Sequence, residues 1–219
     1  LGLDDCNLSL LRARFDQVGA KASGDVQGWD WSVKDWELQY DAEIRAELAG
    51  NHPVMARMLR NRFHAMSRAV FCTSDGQLIA QAFPGLQKSG SYNTSSTNSR
   101  LRVALSYLAG ASWALAMGDD CVEEPIPTAP SFYREMGHPL KQYELLTYPE
   151  FCSHRFYEER VEPLNWAKTV YRFLALPTQD FVSLERLEAL KYELRGLQPE
   201  KLDEIVRWLR EQQLAEGAN

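Results

Sequence analysis

Gln87-Lys88-Ser89-Gly90-Ser91-Tyr92-Asn93-Thr94-Ser95-Ser96-Thr97-Asn98-Ser99, followed one helix later by Gly118-Asp119-Asp120, decides the fold of this chain. A purely structural helix would not open on so many Ser, Thr and Asn side chains, because they offer the backbone competing hydrogen bonds. The apolar run Leu101, Val103, Ala104, Leu105 and Leu108 follows at once, so a helix is predicted from about Asn93 to Ala111 rather than a polar linker. Thr94 and Asn98, four apart, share one of its faces, and Ser89-Gly90 lies in the loop before it. Trp113 to Met117 and Cys121-Val122 then flank Gly118-Asp119-Asp120 as a hairpin. Two adjacent carboxylates at a turn repel one another unless cations occupy the site. Oxygen-only ligands suit hard cations such as Mg²⁺ or Mn²⁺, which also hold substrate phosphates. An isolated Gly-Asp-Asp is usually an ordinary solvated turn; the sugar-reading polar helix before it, with Asp25 and Asp30 upstream, argues for a metal and nucleotide site.

Working outward, Asp4 to Asp16 reads as a short helix and Ala20 to Val26 as a buried strand ending at a Gln27-Gly28 turn. Ser32 is expected to cap a helix running to about Leu48, with Trp36, Tyr40, Ile44 and Leu48 on one face. Pro53 fits the first turn of the next helix, whose apolar positions run from Met55 through Phe63 to Met66. Asp75-Gly76 between Val70–Thr73 and Gln77–Ala80 is a strong hairpin signal. A proline-marked loop (Pro125, Pro127, Pro130) precedes a helix near Ser131 to Met136, and Tyr148 to Arg155 reads as strand and turn. From Pro163 the chain is helical, broken at Pro177-Thr178, and its last helix, Pro199 to Leu214, carries the stripe Leu202, Ile205, Val206 and Leu209. The pattern is α+β, followed by a helical part with a boundary near Glu158 to Asn165.

At 219 residues and 45% apolar, the chain can bury a sizeable core. No apolar run reaches the length a membrane span needs, and the first residues do not have the form of a signal peptide. Cys6, Cys72, Cys121 and Cys152 lie far apart without a C-x-x-C pair, which argues for reduced thiols rather than zinc or a disulfide framework. A net charge of −6 argues against a surface that grips nucleic acid all over, but not against a local basic channel. The chain starts at Leu1 directly in structured-looking sequence, as an internal piece of a longer protein would.

Three motifs in this order resemble the RNA-dependent RNA polymerases of positive-strand RNA viruses. Asp25-x-x-x-x-Asp30 is similar to motif A, Ser89-Gly90-x-x-x-Thr94-x-x-x-Asn98 to motif B, and Gly118-Asp119-Asp120 to motif C. The wording around them, Gly24-Asp25-Val26-Gln27-Gly28-Trp29-Asp30-Trp31, Gln87-Lys88-Ser89-Gly90-Ser91 and Ala116-Met117-Gly118-Asp119-Asp120-Cys121-Val122-Glu123, resembles the sobemovirus and barnavirus group, with poleroviruses further away. Phe151-Cys152-Ser153-His154 resembles motif E, and Tyr133-x-x-x-Gly137-x-x-x-Lys141 resembles motif D. The likeness covers about residues 20 to 175.

The resemblance implies a right-hand fold: a palm of antiparallel sheet flanked by helices over residues 1–160, a fingers segment inserted at about 34–88, and a helical thumb over 161–219. It implies that Asp25 and Asp119 bind two catalytic Mg²⁺ or Mn²⁺ ions, with Asp120 supporting. Asp30 and Asn98, helped by Thr94, would read the ribose 2′-hydroxyl, and Ser89 and Gly90 would form a loop that follows the nascent pair. Lys141 would be a general acid for pyrophosphate, although a solvated lysine fits that short match as well. Cys152 and Ser153 would sit in the primer grip. The implied partners are template and nascent RNA, NTPs, other replicase domains and, if initiation uses one, a protein primer. The implied place is the host cytoplasm, at membrane-associated replication sites reached through other domains. The family's N-terminal fingers are expected outside this chain, since only Arg12, Arg14 and Lys21 precede Asp25 as basic residues. That loss would weaken the grip on triphosphate and template, so the segment alone is expected to be weakly active or inactive.

Competing readings differ in what they require. A non-catalytic RNA-binding or scaffold domain derived from a polymerase should have lost one of Asp25, Asp119 or Asn98, and all three are present. A two-metal nuclease has no need of a sugar-reading helix, and a reverse transcriptase would not pair Asp30 with Asn98.

Overall fold

The computed structural model describes residues 4–175 and 184–216. Along the chain run α1 (Asp5–Gln17), β1 (Lys21–Val26), α2 (Trp29–Ser32), α3 (Asp35–Leu48), α4 (Pro53–Ser67), β2 (Val70–Cys72), β3 (Leu78–Ala80) and α5 (Thr94–Leu108). There follow β4 (Ala114–Met117), β5 (Asp120–Glu123), α6 (Ala129–Glu135), β6 (Leu140–Leu146), β7 (Glu150–Phe151), β8 (His154–Phe156) and β9 (Val161–Pro163), then α7 (Trp166–Ala175), α8 (Leu184–Glu193) and α9 (Pro199–Glu216). The mixture is α+β with antiparallel sheets, and the chain divides into two compact units, residues 20–147 and residues 1–19 with 148–219.

The first unit is built on a four-stranded sheet in the order β4-β5-β1-β6. β1 and β5 run antiparallel with Ala22 opposite Glu123 and Ser23 opposite Val122. On its other side β1 pairs β6 from Lys21–Leu146 to Asp25–Gln142, and the register then slips so that Val26 faces Leu140. Lys141 is the extra residue of that bulge. Bulges bend a strand and re-aim a side chain, and this one carries Lys141 to the end of β1. The core packs Val26, Trp29, Val33, Leu38, Ala42, Phe63, Leu101, Leu105, Ala129 and Tyr133 between sheet and helices.

Four local expectations change. Ser32 does not cap α3: it ends α2, and the start of α3 is held from within by Glu37, whose carboxylate accepts the Lys34 amide at 2.6 Å. The stripe Trp36, Tyr40 and Leu48 faces outward, while Glu37, Leu38, Asp41, Ala42 and Ala46 are buried, because the two acids find partners inside. Met55 and Met58 of α4 are likewise exposed. β6, which was not expected, is an edge strand whose exposed Lys141, Gln142, Glu144 and Leu145 follow no clean alternation. The Pro177-Thr178 break lies outside the described residues.

In the second unit Phe15 of α1 packs edge-on against Phe151 and Phe156 of the β7-β8-β9 sheet. Leu190, Leu194, Leu197 and Leu209 form a separate helical core, with Leu202 and Ile205 of the expected α9 stripe packed on it.

Candidate active site

β1 ends at Asp25 and Val26, and α2 follows after a turn at Gly28, whose left-handed backbone (φ 59°) glycine adopts without steric cost. Asp30 therefore sits in the first turn of α2, just beyond the strand end. Its carboxylate accepts a hydrogen bond from Asn98 Nδ2 at 3.0 Å. Asn98 is 5% exposed and its Oδ1 has no hydrogen-bond partner. A buried carbonyl oxygen left unpaired costs about 1–3 kcal/mol, the kind of debt that marks a place for a donor from a ligand.

Ser99, the next residue, holds the carboxylate turn. β4 and β5 pair from Ala114–Glu123 to Met117–Asp120, which leaves Gly118-Asp119 as a two-residue turn with φ 65° at Gly118. That is the glycine-demanding first position of a type II′ hairpin. The Gly118 amide donates to Ser99 Oγ at 2.8 Å, so α5 fixes the turn directly. Asp119 is exposed at its tip and Asp120 half-buried at its exit. Continuing the β1–β5 register from Ser23–Val122 by two residues sets Asp25 opposite Asp120.

Lys141 Nζ donates to Asp25 Oδ2 at 3.2 Å. The two side chains are 55% and 60% exposed, and exposed pairs of this kind are worth about 0–1 kcal/mol. Lys141 neutralises Asp25 without committing it. Among the described residues no three His, Cys, Asp or Glu side chains converge as a ready-made metal site. The donor set is nevertheless all oxygen and gathered at adjoining strand ends, which fits hard divalent cations and no softer metal.

Motif residues before α5 have a local task. Thr94 Oγ1 faces the Lys88 carbonyl at 2.7 Å and the Ser91 carbonyl at 2.9 Å, so it folds the loop holding Ser89 and Gly90, both of which are exposed. Lys88 Nζ donates to Gln81 Oε1 and to the Gly85 and Leu86 carbonyls, and burial holds its pKa below the ordinary value. Gly85 is obligatory there: a Cβ would stand 2.8 Å from the Val33 carbonyl.

Three buried groups escaped the sequence reading. Asp41 of α3 is fully buried and is held by Arg45 (2.9 Å), Arg100 (2.5 Å) and the Thr97 hydroxyl (2.8 Å), which locks α5 against α3. His138 lies between Ser32 Oγ (2.7 Å) and Glu37 Oε1 (2.6 Å) and stacks on Trp29 at 4.9 Å. This resembles a hydrolytic triad in composition only: His138 and Glu37 are buried, and the half-buried Ser32 Oγ donates to the Trp29 carbonyl, bracing the segment that carries Asp30. Arg102 is fully buried beneath the carboxylate turns. Its signal was its place: Asn98, Arg102 and Ser106 recur every four residues, a polar line on the buried face of an otherwise apolar helix.

Cys152 and Ser153 belong to the second unit, at the turn between β7 and β8. Both have left-handed backbone, φ 52° and 61°, as a type I′ hairpin requires, although neither is the usual Asn or Gly. His154 Nδ1 lies 2.8 Å from the Cys152 carbonyl and stabilises that turn.

A family model described as viral RNA-directed RNA-polymerase matches residues 14–171. The chain is 45% identical over 173 residues to replicase polyprotein P2AB of Southern cowpea mosaic virus, covering 75% of this chain and 18% of that protein. It is 39% identical over 206 residues to replicase polyprotein P2AB of Cocksfoot mottle virus, covering 90% and 21%. It is 43% identical over 152 residues to protein P1-P2 of a Scottish strain of Potato leafroll virus, covering 68% and 14%. The chain thus spans about a fifth or less of the curated relatives it matches. With its motif residues joined as described, this chain belongs to the viral RNA-directed RNA polymerase family.

Proposed function

We propose that this chain is the catalytic segment of a viral replicase and carries out template-directed nucleotidyl transfer from NTPs to an RNA 3′-hydroxyl. The β4-β5-β1-β6 sheet with α5 and α6 would be the palm, α3, α4 and the β2-β3 hairpin the inserted part of the fingers, and the helices after residue 160 the thumb. The observation that carries the reading is the bond from Asn98 to Asp30, which joins motif A to motif B and leaves a buried Oδ1 for a further partner. A ribose 2′-hydroxyl supplies the missing donor to Asn98 and can be held by Asp30; a deoxyribose cannot.

In the reaction the 3′-hydroxyl oxygen bonds to the α-phosphorus, the bond from that phosphorus to the bridging oxygen breaks, and pyrophosphate leaves. The hydroxyl proton is released to solvent. Divalent metals, when bound, lower the hydroxyl's pKa and neutralise the leaving pyrophosphate. Asp25 and Asp119 would hold them, with Asp120 in support. Lys141, freed from Asp25, would give its proton to pyrophosphate. Ser89 and Gly90 would follow the nascent base pair, and Cys152 and Ser153 would steady the primer end. RNA, NTPs and the remaining replicase domains are the proposed partners, at replication sites in the host cell.

The test is primer extension by a full-length replicase carrying this chain, in Mg²⁺ or Mn²⁺. Asp119→Ala should abolish extension while leaving circular dichroism and the melting temperature unchanged; undiminished extension would end the metal assignment. A second reading, an RNA-binding scaffold without catalysis, is favoured by the lack of convergence of three carboxylates among the described residues. It predicts RNA binding indifferent to Asp119→Ala and no extension by the unmutated replicase.

A further inference from the structure

We infer that Arg102 is a positioning residue that clamps the two carboxylate-bearing turns at their working distance. The inference rests on the proposal that Asp25 and Asp119 act together. Arg102 Nη2 donates to the Gly24 carbonyl at 3.1 Å, and Nε donates to the Asp119 carbonyl at 3.2 Å. Gly24 directly precedes Asp25, so one planar group bridges the backbones behind both acids. The guanidinium fork is rigid, and its two bonds set the spacing of β1 from the β4–β5 turn where only a short β1–β5 ladder otherwise does so. The guanidinium carbon also lies 5.6 Å from the Trp29 ring centroid and 5.0 Å from that of Tyr133, which fixes the plane of the fork.

This placement costs stability and needs a reason. Arg102 is wholly buried, its Nη1 has no hydrogen-bond partner, and a buried ionic group is often less stable than an apolar side chain of similar volume. Burial works against the charge and the buried Glu123 beside it works for it, while a guanidinium is not deprotonated in proteins. Glu123 in turn accepts from the Tyr133 hydroxyl at 2.7 Å and from Ser106. The cation is therefore permanent, and it stands behind the acids rather than in front of them. An arginine at the surface would form an ion pair with Asp119 and occupy its oxygens. Arg102 spends its hydrogen bonds on carbonyls, so it eases the repulsion among the acids and leaves carboxylate lone pairs to a ligand.

Lysine keeps the charge but offers one point where arginine offers two, so Arg102→Lys isolates the bridge; Arg102→Met removes bridge and charge together. The chain would be studied metal-free by amide hydrogen exchange and then titrated with Mn²⁺ by electron paramagnetic resonance, with Asp119→Asn alongside. In Arg102→Lys the amides of Asp25 and of residues 118–121 should exchange faster, with the α3 and α4 amides unchanged. Mn²⁺ affinity should fall about 10- to 100-fold, as it does when groups that orient metal ligands are removed. Arg102→Met should fall at least as far, and should it unfold, Arg102→Lys decides. Wild-type exchange and wild-type Mn²⁺ affinity in Arg102→Lys, with affinity lost in Asp119→Asn, would overturn the clamp and leave the metal reading intact. Unchanged affinity in Asp119→Asn would overturn the metal reading, and the exchange rates would still judge the clamp.

Discussion

Asn98 Nδ2 donates to Asp30 Oδ1 at 3.0 Å, across 68 positions of sequence. The bond orients the amide so that its unpaired oxygen, not its NH₂, is left for a third party. Asn98→Ala in the full-length replicase should lower the preference for NTPs over dNTPs roughly tenfold or more, the worth of one or two hydrogen bonds. The rate with NTPs should fall less than the discrimination does. Kinetics with matched NTP and dNTP pairs measures both, and unaltered discrimination would remove Asn98 from the sugar-reading role.

Ser99 Oγ is the acceptor for the Gly118 amide. Ser99→Ala leaves that half-buried N–H without its partner and should destabilise the turn by about 1 kcal/mol. Since the turn carries Asp119, kcat should drop while the KM for NTP changes little. A larger effect on KM than on kcat would mean that Ser99 serves substrate binding instead.

Asp41 is the buried anion that holds Arg45, Arg100 and Thr97 together. Asp41→Ala strips two cations of their partner and should cost about 3–5 kcal/mol of unfolding free energy. Urea denaturation of this chain checks it; a loss below 1 kcal/mol would show that solvent takes over the arginines.

Burial raises the Cys121 thiol from its ordinary 9.0 to about 11. The folded state therefore favours the protonated thiol more than the unfolded state does. Its contribution to stability is complete below pH 9 and is lost as pH rises towards 11, a decline that Cys121→Ala should lessen in melting curves taken between pH 8 and 11. At pH 8, Cys6 and Cys72, which are exposed, should react with a thiol reagent within the time that leaves Cys121 untouched. Mass spectrometry of the labelled peptides reads the order, and early labelling of Cys121 would contradict it.

The local motifs were legible because each is short and chemically loud. Asp-Gly gave a hairpin, Pro53 a helix start, and Gly118-Asp119-Asp120 a turn. What escaped was decided by tertiary pairing. Trp36 and Tyr40 looked like the inner face of α3, but Asp41 and Glu37 turned inward once Arg100 and His138 could meet them. Lys141 could be matched to a motif, yet its reach to Asp25 depends on a bulge in β6 that no alternation announces. Thr94, expected beside the sugar, also folds the loop before α5, a bond that its place in the motif did not announce.

Asn98 and Ser99 are consecutive on α5, one committed to Asp30 and the other to the Gly118 amide. A single inserted or deleted residue upstream in that helix would rotate both through about 100° at once. Evolution can exchange side chains along α5 one by one, but it cannot slide the helix by a residue. Drift in this segment is confined to substitutions that leave its length unaltered.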